Sequence, residues 1–107
     1  MDIQLKRGLL EVAVLAAIQD QPSYGYQIIK DLKPCVEVSE STLYPILRRL
    51  ESAELLRVQT QEFSGRLRKY YYITPQGHQR LRDFREEWRQ ILSIYHFIVR
   101  EEERSHE

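Results

Sequence analysis

The chain has 107 residues, 42% of them hydrophobic and 30% charged, with 16 Lys/Arg balanced by 16 Asp/Glu. That is room for one soluble domain with a compact core. No run approaches the roughly 18 apolar residues of a membrane span, the N-terminus lacks the flanks of a secretory signal, and a single cysteine, Cys35, forms no internal disulfide, so a reducing cytoplasm is the expected setting.

The zero net charge conceals a local excess. Residues 1–38 carry four cations against five anions, residues 39–74 six against four, and residues 75–107 six against seven. Within the middle third, residues 55–74 set Arg57, Arg66, Arg68 and Lys69 against Glu62 alone. A local positive patch is what phosphate contact requires.

In chain order, residues 3–19 read as a helix, with Leu5, Leu9, Val12 and Ala16 at helical spacing and Leu10, Val14, Leu15 and Ile18 widening the apolar face. A face that broad predicts a central position or contact with a partner. Gln21-Pro22 ends it. Ser23 reads as the N-cap of a second helix, Tyr24 to Leu32, stopped by Lys33-Pro34. A third helix begins at Ser39 or Ser41 and runs to about Ala53. Leu43, Ile46, Leu47 and Leu50 form its buried stripe, and Pro45 keeps its start close by.

Two alternating runs follow, Leu56 to Gln61 and Leu67 to Thr74, joined by the Gly-containing segment 62–66, and read as a β-hairpin. Thr74-Pro75 is the N-cap and first residue of a last helix. It is expected to reach about Glu103, roughly 43 Å at about 1.5 Å per residue. The predicted fold is mainly α with one small β-hairpin: a winged helix-turn-helix, residues 1–74, followed by a long C-terminal helix, residues 75–107, that dimerises and belongs to the same compact unit.

A helix that reads DNA buries one stripe and offers polar side chains near its N-terminal end. Ser41, Thr42, Tyr44 and Arg48 meet that description; an ordinary helical hairpin with a solvated outer face is the other reading. Gly65-Arg66-Leu67-Arg68-Lys69-Tyr70 puts three cations beside a flexible tip that can reach phosphates or a minor groove. Lys and Arg on an edge hairpin also discourage edge-to-edge pairing, but following a candidate recognition helix they favour DNA.

Three segments carry a resemblance. Ser41-Thr42-Leu43-Tyr44-Pro45-Ile46-Leu47-Arg48-Arg49-Leu50-Glu51, then Arg66 to Gly77, and Tyr24-Gly25-Tyr26-Gln27-Ile28 resemble, in order and in register over residues 5 to about 77, the PadR family of bacterial transcriptional regulators, in its short form with a single C-terminal helix. The resemblance implies a winged-helix homodimer that represses transcription from double-stranded DNA. The DNA-contacting residues are then Tyr24, Ser39, Ser41, Thr42, Tyr44, Pro45, Arg48 and Arg49, with Arg66, Arg68 and Lys69 from the wing. Two positions depart from the family pattern: Ser41 and Glu54 stand where glycine is common.

In the last helix Leu81, Phe84, Trp88, Ile91, Tyr95 and Ile98 follow heptad spacing. With Leu5 and Leu9 of the first helix they are the candidate dimer interface. In some members of the family aromatic residues at that interface contact a planar effector, so Trp88 is either a seam residue or the contact for a small aromatic or drug-like ligand. No catalytic residue, cofactor or metal site is expected: His78, His96 and His106 are not spaced as metal ligands, and no Gly-rich phosphate loop or nucleophile elbow is present. The competing reading is a winged-helix adaptor that binds protein and never touches DNA.

Overall fold

The computed structural model describes residues 1–105. Its elements run α1 (Ile3–Ala17), α2 (Gly25–Leu32), α3 (Glu40–Ser52), β1 (Leu56–Phe63), β2 (Arg66–Ile73), α4 (Pro75–Ile98) and α5 (Arg100–Ser105). His106 and Glu107, part of the segment assigned to the last helix, lie outside the described residues.

The core is built where the sequence stripes converge. Leu10, Val12, Val14 and Leu15 of α1 and its C-cap Ile18 meet Ile28 and Leu32 of α2, Leu43, Ile46, Leu47 and Leu50 of α3, Leu56 of β1, Tyr71 of β2 and Leu81 of α4. Helix α1 touches α2, α3 and α4, which is the central position that was one of the two outcomes its broad apolar face predicted. Its first turn, with Ile3 and Leu5, stays exposed.

Capping residues set the boundaries. The Asp2 side chain accepts from the Leu5 amide at 3.0 Å, that of Ser39 from the Thr42 amide at 3.3 Å, and that of Thr74 from the Gly77 amide at 3.0 Å. Each satisfies a donor that the first helical turn leaves open. Helix α3 ends in a Schellman arrangement: the Leu55 amide donates to the Leu50 carbonyl and the Glu54 amide to the Glu51 carbonyl, both at 2.9 Å. That arrangement holds Glu54 in the left-handed region, at φ 61°, which explains why glycine suits this position.

Several boundaries differ from the sequence reading. Ser23 is not the cap of α2; Tyr24 is, in extended backbone and without a side-chain capping bond. The main chain of Ser23 instead pairs with Tyr71, its amide donating at 3.3 Å and its carbonyl accepting at 2.8 Å, so the turn after Pro22 adds one rung to the hairpin. Helix α1 stops at Ala17 rather than Gln19. Helix α3 begins behind its Ser39 cap, where the sequence put it, with Pro45 in its second turn; having no N–H, Pro45 leaves the Ser41 carbonyl without its helical donor. Strand β1 is longer than expected, β2 begins and ends one residue earlier, and the loop is shorter: Ser64 and Gly65, at φ 51° and 79°, turn the chain in two residues, the conformation a tight hairpin favours. The register runs from Leu56 opposite Ile73 to Phe63 opposite Arg66.

The last helix is interrupted at Val99. The Arg100 guanidinium folds back to donate to the Phe97 carbonyl at 2.6 Å and covers the Phe97 ring at 3.6 Å. A side chain thus takes an acceptor that a continuing helix would have used. The 24 residues of α4 span roughly 36 Å at about 1.5 Å each, and they draw the molecule out to 62 Å against 26 and 23 Å in the other directions.

Candidate nucleic-acid interface

At about 100° per residue, the buried stripe of α3 leaves Ser41, Pro45, Arg48 and Ser52 on the opposite side. Tyr44 falls on the flank toward the wing, and Thr42 and Arg49 on the flank toward α1. At the N-terminal end three hydroxyls gather: Ser39 Oγ lies 3.0 Å from Ser41 Oγ and 3.1 Å from Thr42 Oγ1. Ser39 is engaged as the cap, while Ser41 and Thr42 are exposed beside the positive end of the helix dipole.

The two arginines of α3 separate. Arg49 Nε donates to Glu11 Oε1 of α1 at 2.9 Å, so this cation, assigned to DNA from the sequence, is paired with an acid on the flank of α3 toward α1. Arg48 stays exposed on the outer side and is close enough to Tyr71 to influence its phenol. Burial pushes the Tyr71 pKa above the ordinary 10.0, neighbouring Tyr44 and Glu51 raise it further, and Arg48 lowers it. A buried neutral phenol therefore lies beneath the outer end of the site.

The wing cations are divided by the pleat. Successive strand residues point to opposite faces, so Arg66 and Arg68 share one face with Tyr70 and Tyr72, and Lys69 shares the other with Leu67 and the buried Tyr71. Arg68 does not hang free. Its guanidinium lies 4.0 Å from the centre of the Tyr24 ring and 4.5 Å from that of Phe63, and Tyr24 meets Tyr70 edge-on at 5.7 Å. A guanidinium held by two aromatic rings keeps its charge and loses much of its freedom.

These pieces close a groove of about 490 Å³ between the start of α2 and the wing, lined by Tyr24, Gly25, Tyr26, Tyr44, Leu67, Arg68, Lys69 and Tyr71. Tyr44, 39% exposed, stands in it. The structure thus gathers Tyr24, Tyr44, Arg68 and Lys69 into one place and Ser39, Ser41 and Thr42 into another, with Arg48 exposed further along α3 and Arg66 at the wing tip. A second groove, about 350 Å³, runs along the other flank of α3 and brings Lys6 and Arg7 beside Ser41, Thr42 and Pro45. Sequence reasoning missed those two cations and missed Phe63 as a partner of Arg68. A pair of adjacent basic residues in the first turns of α1 was the available signal for the former.

Among the described residues no group of His, Cys, Asp and Glu could hold a metal, and no helix is long and apolar enough to cross a membrane.

Three helices with a turn between the second and third, a polar outer face on the third and a basic hairpin after it define a winged helix-turn-helix protein of the DNA-binding class. Within that class the chain belongs to the PadR-like family of transcriptional regulators, whose family model matches residues 14–83. It is similar to a PadR-like transcription factor from Bacteroides fragilis, with 33% identity, a TM-score of 0.81, and coverage of 89% of this chain and 94% of that one. It is 32% identical to the transcriptional regulator Rv3488 of Mycobacterium tuberculosis over 69% of this chain and 70% of that protein. It is also similar to Bacillus subtilis PadR solved in complex with operator DNA, with 25% identity and a TM-score of 0.66 over 71% of this chain and 45% of that one. The chain is accordingly a DNA-binding transcriptional regulator.

Proposed function

We propose that the chain is a repressor that binds a palindromic operator as a homodimer and is released by a small planar effector. The observation that carries the DNA half is the groove in which Tyr44 of α3 stands beside the wing's Arg68 and Lys69, and the operator complex of Bacillus subtilis PadR supports it. Ser41, Thr42, Tyr44, Pro45 and Arg48 read base edges. Arg66, Arg68 and Lys69 contact phosphate or the minor groove, Tyr24 fixes Arg68, and Ser39 holds the hydroxyl cluster. Arg49 serves the α1–α3 contact.

Residues 1–74 are the DNA-binding part and residues 75–107 the dimerising part of one compact unit, because Gly77 and Leu81 are buried in the winged core with Phe84 packed against it. The seam offered to a partner therefore starts at Trp88 and continues through Ile91, Tyr95 and Ile98, joined by Leu5 and Leu9; Leu81 and Phe84 serve the chain's own core. A planar aromatic effector fits at Trp88, whose ring stacks on Phe84 at 5.7 Å and 22° and is 36% exposed. Effector release follows from linkage if the ligand prefers the dimer that cannot bind DNA.

Losing one good base contact costs about 1–3 kcal/mol. In a mobility-shift titration on the gene's own upstream region, Tyr44→Ala is expected to lower affinity about tenfold or more, with an unchanged circular dichroism spectrum. Wild-type protein that leaves this DNA unshifted would favour the protein-binding adaptor instead. Inducing compounds that quench Trp88 fluorescence and release DNA over one concentration range would support the effector site, and inducers that do neither would remove it.

A further inference from the structure

Tyr44 can contribute to recognition only if its phenol is held where the groove needs it, and the residue opposite it is the smallest available. Gly25 is the first residue of α2 and is buried. Its backbone has no positive φ that would call for glycine, and glycine is a poor choice for a helix, where alanine is preferred. What glycine supplies here is space. A Cβ at this position would stand 2.9 Å from Tyr44 Oη and 3.3 Å from Cζ. The first separation is closer than a methyl group tolerates. The phenol therefore rests against the bare backbone at the start of α2, on one side of the groove whose other side is the β2 segment Leu67 to Lys69.

We infer that Gly25 is a positioning residue for DNA binding: by lacking a side chain it seats the Tyr44 phenol between α2 and the wing. This rests on the proposed role of Tyr44 in the operator complex. Seating the ring in the free protein lowers the ordering cost of binding, and it keeps the phenol in the groove that Arg68, itself fixed by Tyr24 and Phe63, also lines. Because the atom a methyl would meet is the far end of a rotatable side chain, Gly25→Ala displaces the phenol and leaves α2 in place. The fold survives and the interface is disturbed.

The test is a double-mutant cycle on operator affinity with Gly25→Ala, Tyr44→Phe and the pair, together with Tyr44→Ala and the thermal midpoint of every variant. Tyr44→Phe removes the atom in the closest contact. Gly25→Ala alone is expected to lose at least tenfold in affinity while its thermal midpoint stays level or rises, as helix propensity favours alanine. In the Tyr44→Phe background the same substitution is expected to cost less than threefold. A purely structural role for Gly25 would instead lower the midpoint and reduce affinity equally in both backgrounds, and that result overturns the inference. So does a Gly25→Ala protein that binds operator like the wild type while Tyr44→Ala does not. If Tyr44→Ala itself binds like the wild type, the assignment of Tyr44 to the major groove has failed, and the inference falls with it.

Discussion

Helix α3 and the outer half of α4 are written in nearly the same apolar spacing, and the structure treats them in opposite ways. Leu43, Ile46, Leu47 and Leu50 of α3 are at most 2% exposed. Ile91, Tyr95 and Ile98 of α4 are 47%, 54% and 66% exposed, with Ile94 and Phe97 61% and 63% exposed beside them. A spacing of three and four residues records that a helix face needs cover; it does not record which chain supplies the cover. For α3 the cover comes from α1, α2 and β1 within the same chain. Beyond Phe84, α4 keeps side-chain contacts such as Arg85 to Gln19, but among the described residues its apolar face stays largely exposed. A face of that size on a small protein marks an interaction surface.

The largest expected effect breaks this contrast at its exposed end. Ile91→Asp puts a charge at the middle of the uncovered face. Burying a large apolar side chain contributes about 1.5–3 kcal/mol, and a twofold interface counts the substitution twice, so about 3–6 kcal/mol is lost from dimerisation. That is roughly two to four decades in the dimer dissociation constant. Sedimentation should find a dimer of the wild type at micromolar concentration and a monomer of the variant, with operator binding lost, since helix-turn-helix dimers read two half-sites together. A wild-type monomer at micromolar concentration would leave the exposed face of α4 to some other partner.

The next effect tests the joint between the two regions. Gly77 lies where α4 crosses the end of the hairpin, and a Cβ there would collide with the Leu55 carbonyl oxygen and come within 2.6 Å of Ile73 Cγ1. One obstacle is backbone, so relief requires moving an element. Gly77→Ala should cost about 1–3 kcal/mol, as overpacking does, and lower the thermal midpoint by roughly 4–8 °C per kcal/mol. An unchanged melt would mean that α4 shifts freely on the winged core, and the sharp boundary between covered and uncovered halves would soften.

How legible these regions were in the sequence follows from the range of the interactions involved. The α3 stripe, the Thr74-Pro75 helix start and the presence of a hairpin depend on residues near one another in the chain, and all three stand where the spacing put them. The partner of Arg49 is Glu11, 38 positions away, and nothing local tells an arginine on a helix flank to face another helix rather than DNA. Arg68 is fixed by Tyr24 from a different element for the same reason. The bridge between Ser23 and Tyr71 is equally long-range, and it displaces the expected cap by one residue. The two-residue turn was legible in principle: Ser64-Gly65 can turn a hairpin alone, and taking Glu62, Phe63 and Arg66 as loop cut both strands back at the turn. The break at Val99 coincides with Arg100 folding back on Phe97, a rotamer choice that composition does not encode.

A smaller effect sharpens the wing. Because Arg68 is held between two rings, its charge is preorganised, and Arg68→Ala should weaken binding to all sequences alike. Releasing one phosphate contact lowers the slope of log K against log salt by about 0.9. Phe63→Ala should weaken binding less and leave that slope unchanged, since it frees the guanidinium without removing it. An unaltered slope for Arg68→Ala would show that the stacked guanidinium serves the wing's structure alone.

The smallest effect is a gain, confined to the covered half. Glu54 closes α3 at φ 61°, a conformation that costs a residue with a Cβ about 1–2 kcal/mol. Its backbone has two structural tasks: the amide closes on the Glu51 carbonyl at 2.9 Å, and its carbonyl accepts from Thr74 Oγ1 at 2.7 Å, tying the end of α3 to the start of α4. Glycine performs both tasks without the steric cost, offset in part by its greater freedom in the unfolded chain. Glu54→Gly should therefore stabilise the protein by about 0.5–1 kcal/mol and raise the thermal midpoint by roughly 2–8 °C. Operator affinity and the dimer constant should not change, because neither α3's outer face nor the exposed half of α4 is touched. A lower midpoint would mean that the glutamate side chain contributes more to the α3–α4 corner than its backbone strain removes.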